Sequence, residues 1–345
     1  MRRILILGGT RNLGLVTALS LLDAGHDVTV LNRGRTPDDL PRDVARLRAD
    51  RNDNASMRLA LGDSSFDLVL DNTTYTERDA RQAVDLFSGR VGRYVFISSG
   101  QVYLVRENLP RPFSERDYAG PVMAEPPRQS ADHDAWLYGI DKRLAEQIFQ
   151  DASEKSGFPV MTLRLPMVAS ERDHYGRIQG YIARLMDGGP LLIPSEAGLP
   201  LRHVYVTDVA RLVTRLVDLP VDTGKAFNVS YGESMSLVEF LELLAAVVKL
   251  PLDLHRVPRR ELTQAGLLPH CSPFSGRWMS ELDNARSLAE LGEGKFSYTS
   301  PGAYLPMIAE DYVRRWQPDK MIPSGYGQRS NEKDFIDRTR HAMSQ

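Results

Sequence analysis

The sequence predicts an α/β fold in which helices cover both faces of a parallel, doubly wound sheet. Two observations lead to this prediction: short apolar runs alternate with amphipathic helical stretches, and a glycine-rich turn follows the first run. That run, residues 4–7, is continuously apolar, as expected of a strand buried on both faces. Residues 12–24 then carry apolar side chains at helical spacing. Because strand–helix–strand units place their strands side by side and parallel, the repeat favours a doubly wound sheet.

The same alternation continues to residue 165 and is less regular beyond it. Further strands are predicted at 27–31, 46–49, 66–70, 94–97 and 160–165, with helices at 54–62, 78–88 and 134–156. Later helices are predicted at 175–187, 207–217, 236–248 and 301–316, with short strands ending at 193, 206 and 229. We therefore expect a larger domain over 1–165, a smaller α/β lobe over 166–316 that is interleaved with it, and a loose polar tail over 317–345.

Composition argues against several classes of partner. The 345 residues contain 43 Lys and Arg against 45 Asp and Glu, and this near-neutral balance gives no electrostatic reason to expect nucleic acid or an acidic membrane. The single cysteine, Cys271, excludes an internal disulfide and fits a reducing compartment. No stretch approaches the roughly 20 apolar residues of a membrane span. We expect a cytoplasmic protein with a small-molecule substrate and no metal, since the histidines show no ligand spacing.

The segment between Val102 and Trp136 is rich in Pro, Arg, Glu and Asp. It is long for a connection inside a compact domain. It leads directly into the helix predicted at 134–156. A lid over a site and a passive surface insertion are both compatible with this position.

A glycine turn, Gly8-Gly9-Thr10-Arg11-Asn12-Leu13-Gly14, joins the first strand to the first helix. Glycine lets the backbone turn tightly and approach a pyrophosphate, and the helix N-terminus offers free N–H groups. The residues predicted to bind a dinucleotide cofactor here are Gly8, Thr10, Arg11, Asn12, Leu13 and Gly14. The alternative is a plain strand-to-helix turn without a ligand.

The end of the second strand favours NADP over NAD. An acidic residue there would bind the ribose hydroxyls of NAD and repel a phosphate, but position 32 is an asparagine. Arg33 and Arg35 supply charge that can pair with the 2′-phosphate of NADP. The alternative is that these arginines belong to a solvated turn. Thr73, after the fourth strand, is a further cofactor candidate.

Tyr138 and Lys142 are the candidate catalytic pair. Residues four apart share a helix face, so the ammonium of Lys142 is expected beside the hydroxyl of Tyr138. A free tyrosine has a pKa near 10, and a neighbouring cation in a dehydrated cleft lowers it towards neutrality. Ser99 follows the fifth strand, at the sheet edge where ligands of such folds bind, and its hydroxyl can bind a substrate oxygen.

These motifs resemble those of the extended short-chain dehydrogenases/reductases, in the NAD-dependent epimerase/dehydratase family, whose fold is of the Rossmann type. Ser-Ser-Gly-Gln-Val-Tyr at 98–103 and Tyr-Gly-Ile-Asp-Lys at 138–142 stand in the family's order. The resemblance implies that Ser99, Tyr138 and Lys142 are catalytic. It also implies an adenine site at Asp50 and Arg51, where Ala49 replaces the family's glycine. The loop matches a Gly-Gly-Thr-Arg-x-Leu-Gly branch of the family, in which Arg11 stands where a glycine is usual.

The resemblance leaves several reactions open. The family's dehydratases carry an Asp-Glu pair after the catalytic Ser or Thr, and here Gly100-Gln101 disfavours water elimination. A sugar-nucleotide epimerase is the first expectation, and an NADPH-dependent ketoreductase of specialised metabolism is the alternative. Chloroplast relatives with the same loop bind RNA, and the near-neutral charge argues against that activity here.

The resemblance also implies where substrate and a second subunit bind. Gln101, Arg177 and Arg202 are the substrate-binding candidates, although Arg202 is offset by one residue from the family's diphosphate-binding arginine. His203 is a further candidate. The family's usual homodimer would use the helices predicted at 78–88 and 134–156.

Overall fold

The computed structural model describes residues 1–220, 222–292, 295–315, 323 and 325–343. The chain divides into two compact units. Residues 1–168, 203–232 and 280–298 form the first unit, and residues 169–202, 233–279 and 299–345 form the second. The stretch 203–232, which was expected in the smaller lobe, groups with the first unit, where the strand Lys225–Asn228 pairs with the strand Val160–Leu165.

A seven-stranded parallel sheet organises the first unit and confirms the predicted fold class. Its strands are β1 (Arg3–Leu7), β2 (Asp27–Asn32), β3 (Ala45–Arg48), β4 (Phe66–Asp71), β5 (Val91–Ser99), β6 (Val160–Leu165) and β10 (Lys225–Asn228). They are ordered β10-β6-β5-β4-β1-β2-β3, and every neighbouring pair is parallel. The order reverses between β1 and β4, and such a switch point is where ligands bind in doubly wound sheets.

Helices connect these strands. Those of the first unit are α1 (Asn12–Asp23), α2 (Asn54–Leu61), α3 (Glu77–Phe87), α4 (Gln101–Leu104), α5 (Ala131–Ser156), α7 (Val206–Leu216) and α10 (Ala285–Glu290), with a 3-10 helix at Glu115–Tyr118. A buried aromatic cluster packs α5 onto the sheet: the ring of Tyr94 lies 5.3 Å from Phe149 and 5.2 Å from Phe158, and Phe96 lies 4.9 Å from Phe149. These contacts fix the helix that carries Tyr138 and Lys142 against the strand that ends at Ser99.

The segment between Val102 and Trp136 is anchored within the first unit. Phe113 is buried, stacks on Tyr103 at 5.4 Å, and forms a β-bridge with Leu282. Arg143 of α5 donates to the carbonyl oxygens of Val102 and Tyr118, each at 2.9 Å. The segment therefore contacts the rest of the first unit at several points along its length.

The second unit has a two-stranded parallel sheet of β8 (Leu191–Pro194) and β11 (Leu254–Val257). Its helices are α6 (Arg177–Met186), α8 (Leu237–Val248), α9 (Arg259–Gln264), α11 (Pro301–Arg315) and α12 (Arg329–Met343), and a 3-10 helix covers Tyr326–Gln328. The short strands β7 (Val168–Ala169) and β9 (Val204–Tyr205) lie where the chain passes between units. Among the described residues, no helix is both long and apolar enough to span a membrane.

The C-terminal segment corrects one expectation. A loose polar tail was expected over 317–345, yet residues 329–343 form α12, with Glu332 and Ile336 buried. Glu332 pairs with Arg184, whose side chain is also fully buried. A hydropathy pattern counts such paired charges as solvent-exposed, which is why the helix was missed. Residues 316–322, 324, 344 and 345 lie outside the described part of the chain.

Candidate active site

The first strand-to-helix turn is built for close backbone approach. Gly8 has φ +86°, a conformation that favours glycine, and a Cβ on Gly14 would collide with the Gly8 carbonyl oxygen. Helix α1 begins at Asn12, and the side chain of Arg11 before it makes no capping hydrogen bond. The first-turn N–H groups are thus left for an anion, as a pyrophosphate site requires.

In the described part of the chain, buried polar atoms without a hydrogen-bond partner lie around this turn. Within the described residues, Asn12 Oδ1, Asn32 Nδ2 and Asn72 Oδ1 are buried without a hydrogen-bond partner. These residues stand at the start of α1, at the end of β2 and just after β4, so they surround the switch point of the sheet. A buried polar atom without a partner costs free energy. The ribose hydroxyls, phosphates and amide of a dinucleotide would supply such partners, so the site fits NAD(P).

Arginines cluster at the end of β2. Arg33 and Arg35 are exposed, and Arg11 donates to Thr36 Oγ1 at 2.8 Å. Arg48 lies opposite Asn32 in the sheet register and donates to its side-chain oxygen. Sequence reasoning missed Arg48, although the period-two spacing of Arg46 and Arg48 on a predicted strand places both on one face.

The loop after β3 is arranged differently from what the adenine expectation requires. Asp50 accepts a hydrogen bond from the N–H of Asn52 at 3.0 Å. Arg51 turns inwards, where its guanidinium bonds Asp71 at 2.9 Å and Thr73 at 2.7 Å. Thr73 also lies against the glycine turn, since its methyl group would be 2.6 Å from a Cβ at Gly8. Arg51 is thus engaged inside the protein, whereas Asp50 is half-buried in the loop.

Tyr138 and Lys142 lie on α5 with contrasting exposure. Tyr138 is 36% exposed, whereas Lys142 is 2% exposed. The Lys142 ammonium lies 5.8 Å from the centre of the Tyr138 ring. It donates to the carbonyl oxygens of Thr74 at 2.7 Å and Ile97 at 2.9 Å. Burial lowers the pKa of Lys142 to about 8, although the carboxylates of Asp71 and Glu146 oppose that shift.

Glycine brings α5 close to the end of β5. A Cβ on Gly139 would lie 2.5 Å from a Val105 methyl group and 2.8 Å from the Gln101 carbonyl oxygen. The residue next to Tyr138 must therefore be small for the helix to approach this turn. Ser99 ends β5, is half-buried, and accepts a hydrogen bond from the Gln101 N–H at 3.2 Å. Ser99 thus lies on β5, and Tyr138 and Lys142 lie on α5, which packs directly on that strand.

The substrate candidates have separate locations. The side-chain amide of Gln101 donates to the Ala135 carbonyl oxygen at 3.4 Å, within the first unit. Arg177 begins α6 in the second unit, where it lies 3.9 Å from an Asp173 oxygen and over the Tyr175 ring. Arg202 donates to Ser234 Oγ at 3.0 Å, also in the second unit.

The further candidate His203 is buried in the first unit. Within the described residues, no group of three or more His, Cys, Asp or Glu side chains could hold a metal ion. Cys271 is buried among apolar side chains of the second unit, and burial raises the pKa of its thiol to about 12. That environment suits a packing residue rather than a nucleophile.

The family model for the NAD dependent epimerase/dehydratase family matches residues 4–230. This chain belongs to that family. The matched span contains the glycine turn, the end of β5 and the whole of α5.

Two curated proteins are similar to this chain over part of their length. A 2'-dehydrokanamycin reductase from Streptomyces kanamyceticus is 30% identical over 219 residues, covering 62% of this chain and 58% of the reductase. The chloroplast stem-loop binding protein of 41 kDa b from Arabidopsis thaliana is 30% identical over 124 residues, which is 32% of each chain. The chain thus spans between a third and three fifths of these relatives.

Solved structures of the family share the fold. The UDP-glucose 4-epimerase of Thermotoga maritima, solved with UDP-glucose, superposes with a TM-score of 0.70. The superposition covers 90% of this chain and 98% of the epimerase at 17% sequence identity. At that identity the likeness establishes the α/β architecture of the family and not the reaction.

Proposed function

We propose that this family member moves hydride between NAD(P) and a secondary alcohol or ketone of a sugar nucleotide or related polyol, as a sugar-nucleotide epimerase does. The observation that carries the proposal is the buried Lys142 ammonium beside the half-exposed ring of Tyr138. A tyrosine with a fixed cation at its side is suited to exchange a proton with a substrate oxygen near neutral pH.

Each of the three candidate catalytic residues has a distinct task in this proposal. Tyr138 gives a proton to the substrate oxygen or takes one from it, and Lys142 stabilises the resulting phenolate. The Ser99 hydroxyl donates a hydrogen bond to the same substrate oxygen and stabilises the charge that develops there. Bound NAD(P) supplies the hydride donor and acceptor.

We further propose that NADP is preferred over NAD. Support comes from the exposed Arg33 and Arg35 and from Arg48, since guanidinium groups bind a 2′-phosphate well. Replacing Arg33 and Arg35 by glutamine should weaken NADPH binding about tenfold or more and leave NADH binding nearly unchanged. Fluorescence titration of both cofactors measures this, and equal losses for the two would contradict the preference.

An NADPH-dependent ketoreductase is the second candidate, and the similarity to a named reductase favours it. An epimerase keeps its cofactor and shows no net NADPH turnover, whereas a reductase consumes NADPH with its ketone. Purified protein should be assayed with UDP-glucose, UDP-galactose and UDP-N-acetylglucosamine, and in parallel with NADPH and a panel of sugar ketones that includes 2'-dehydrokanamycin. Interconversion without NADPH loss supports the epimerase, and steady NADPH oxidation supports the reductase.

The third outcome of that assay is binding without chemistry. One relative is named a stem-loop binding protein, so a stem-loop RNA belongs in the same experiment. Salt-sensitive retention of RNA by protein that binds no NAD(P) would overturn the hydride-transfer proposal.

We also propose a homodimer through α3 and α5, since Leu137 and Leu144 of α5 are exposed apolar residues. Light scattering, which measures the molar mass in solution, tests this proposal.

A further inference from the structure

The position of the Lys142 ammonium depends on a loop without regular structure. One of its two carbonyl acceptors, Ile97, belongs to β5 and is fixed by the sheet. The other, Thr74, lies between the end of β4 and the start of α3, where the backbone forms neither helix nor strand. Whatever fixes residue 74 therefore also fixes one side of the ammonium.

Several groups of that loop donate hydrogen bonds to the carboxylate of Asp71, the last residue of β4. Oδ1 accepts the backbone N–H groups of Thr73 at 2.7 Å and Thr74 at 3.0 Å. Oδ2 accepts the hydroxyl groups of Thr74 at 2.6 Å and of Tyr94. The carboxylate is completely buried, and so many donors hold the loop in one conformation.

Arg51 bonds both the Asp71 carboxylate and the loop. Its guanidinium pairs with Asp71 at 2.9 Å and donates to the hydroxyl of Thr74. It also donates to the carbonyl oxygen of Asp79 at 3.2 Å, in the first turn of α3. The loop is thus held at both of its ends, and the four terminal N–H groups of Arg51 point into the protein.

The electrostatics are consistent with a permanently ionised pair. Burial opposes ionisation of Asp71, but the Arg51 cation and the hydrogen bonds from Thr74 and Tyr94 keep its pKa at about 2. The charges that act on Lys142 come from four elements: Asp71 on β4, Glu146 on α5, Arg51 after β3 and Asp79 on α3. The Asp71 carboxylate and the Arg51 guanidinium therefore act on the ammonium with opposite signs, and the carboxylate has the larger effect.

We propose that Arg51, Asp71 and Thr74 form a positioning group that fixes the Lys142 ammonium beside Tyr138, so that Arg51 serves the catalytic lysine rather than the adenine ring. The inference rests on the proposed roles of Tyr138 and Lys142. Arg51 orders Thr74 through its hydroxyl, and the carbonyl oxygen of Thr74 then holds the ammonium. None of these three side chains exchanges a proton with the substrate.

Thr74→Val tests this group without changing any charge. It removes the hydroxyl that links Arg51 and Asp71 at residue 74 and keeps nearly the same shape. Thr74→Ser restores the hydroxyl. Tyr94→Phe is the matched control, because it removes a different hydrogen bond from the same carboxylate and leaves the link from Arg51 through Thr74 to Lys142 intact.

The readout is the ionisation of Tyr138, followed by the tyrosinate absorbance of each protein minus that of the same protein carrying Tyr138→Phe. If Thr74→Val displaces the ammonium, the midpoint of the Tyr138 titration, the pH at which half of its phenol is ionised, should rise by about one pH unit. It should return to the wild-type value in Thr74→Ser and stay there in Tyr94→Phe. Circular dichroism confirms that each variant is folded.

Two results would overturn the proposal. One is a folded Thr74→Val protein whose Tyr138 midpoint equals that of the wild type, and the other is an equal shift in Tyr94→Phe. The titration needs no substrate, so it is independent of the proposed reaction. A shifted midpoint in a protein that turns over nothing would preserve the positioning group and refute the function.

Discussion

Two clusters of buried charge, one in each compact unit, have similar chemistry and different neighbours. In the first unit, Glu146 of α5 pairs with Arg164 of β6 at 2.6 Å and accepts the hydroxyl of Ser98. In the second, Arg184 of α6 pairs with Glu332 of α12, and both side chains are fully buried. Only the first cluster contains residues adjacent to the site.

This difference in neighbouring residues indicates a different role for each cluster. Glu146 lies one helical turn beyond Lys142, and Ser98 directly precedes Ser99. A change at Glu146 therefore moves elements that hold catalytic residues. The Arg184–Glu332 pair joins the C-terminal helix to α6, so we expect it to act on stability alone. Variants in the two clusters can separate these roles.

The largest effect is expected at Glu332. Glu332→Gln removes the carboxylate that pairs with the buried guanidinium groups of both Arg184 and Arg329, which should lower the free energy of unfolding by about 3 to 5 kcal/mol. Urea denaturation measures this, and kcat with a substrate found active should stay at the wild-type value. Joint replacement by Arg184→Met and Glu332→Leu should recover most of the stability. A large fall in kcat for folded Glu332→Gln would contradict the assignment.

A smaller loss of stability is expected at Glu146, together with a loss of rate. Glu146→Gln still offers an oxygen to Ser98, and Arg164 keeps the Tyr103 hydroxyl at 2.8 Å, so about 2 to 3 kcal/mol should be lost. Because α5 and β5 shift relative to each other, kcat should fall about tenfold. If Glu146→Gln were destabilised but kept the wild-type kcat, both clusters would act on stability alone, and the proposed difference between them would be wrong.

The smallest effect concerns acid stability. Asp71 has a pKa of about 2 in the folded protein, below its ordinary value of 3.8. A lowered carboxyl pKa stabilises the fold above the unfolded-state value, and this stabilisation is lost as the pH falls towards 2. The loss should reach about 2 kcal/mol.

Urea denaturation from neutral pH to about pH 3 measures the first half of this loss, about 1 kcal/mol. Asp187 of the second unit, paired with Arg329, also has a lowered pKa, although burial opposes it. The Asp71→Asn and Asp187→Asn variants therefore assign the acid-sensitive part of stability to one unit or the other. A pH dependence unchanged by Asp71→Asn would refute the assignment to Asp71.

The fold was largely predictable because the sheet is buried on both faces. Residues 160–165 were predicted as a strand, and β6 has those bounds. The helix predicted at 134–156 begins three residues earlier, at Ala131. Helix α12 was not predictable from hydropathy, since its buried face includes Glu332 and Arg329, whose partners Arg184 and Asp187 lie more than 130 residues away in sequence.

The site was predictable where it depends on local spacing. Tyr138 and Lys142 are four residues apart on one helix, so their proximity follows from helix geometry. The inward direction of Arg51 depends on Asp71, which sits on a strand 20 residues later, and no local pattern contains that pairing. The partners of Lys142 were missed for the same reason, because Thr74 and Ile97 meet it only through the sheet order.

The most direct test of the central claim is the rate of hydride transfer in Tyr138→Phe. Single-turnover absorbance of the nicotinamide should be followed with whichever sugar nucleotide or ketone is active on the wild type. Phenylalanine keeps the ring and removes the proton, so the rate should fall by a factor of about 100 or more. A rate within about tenfold of the wild type would show that Tyr138 does not carry the proton.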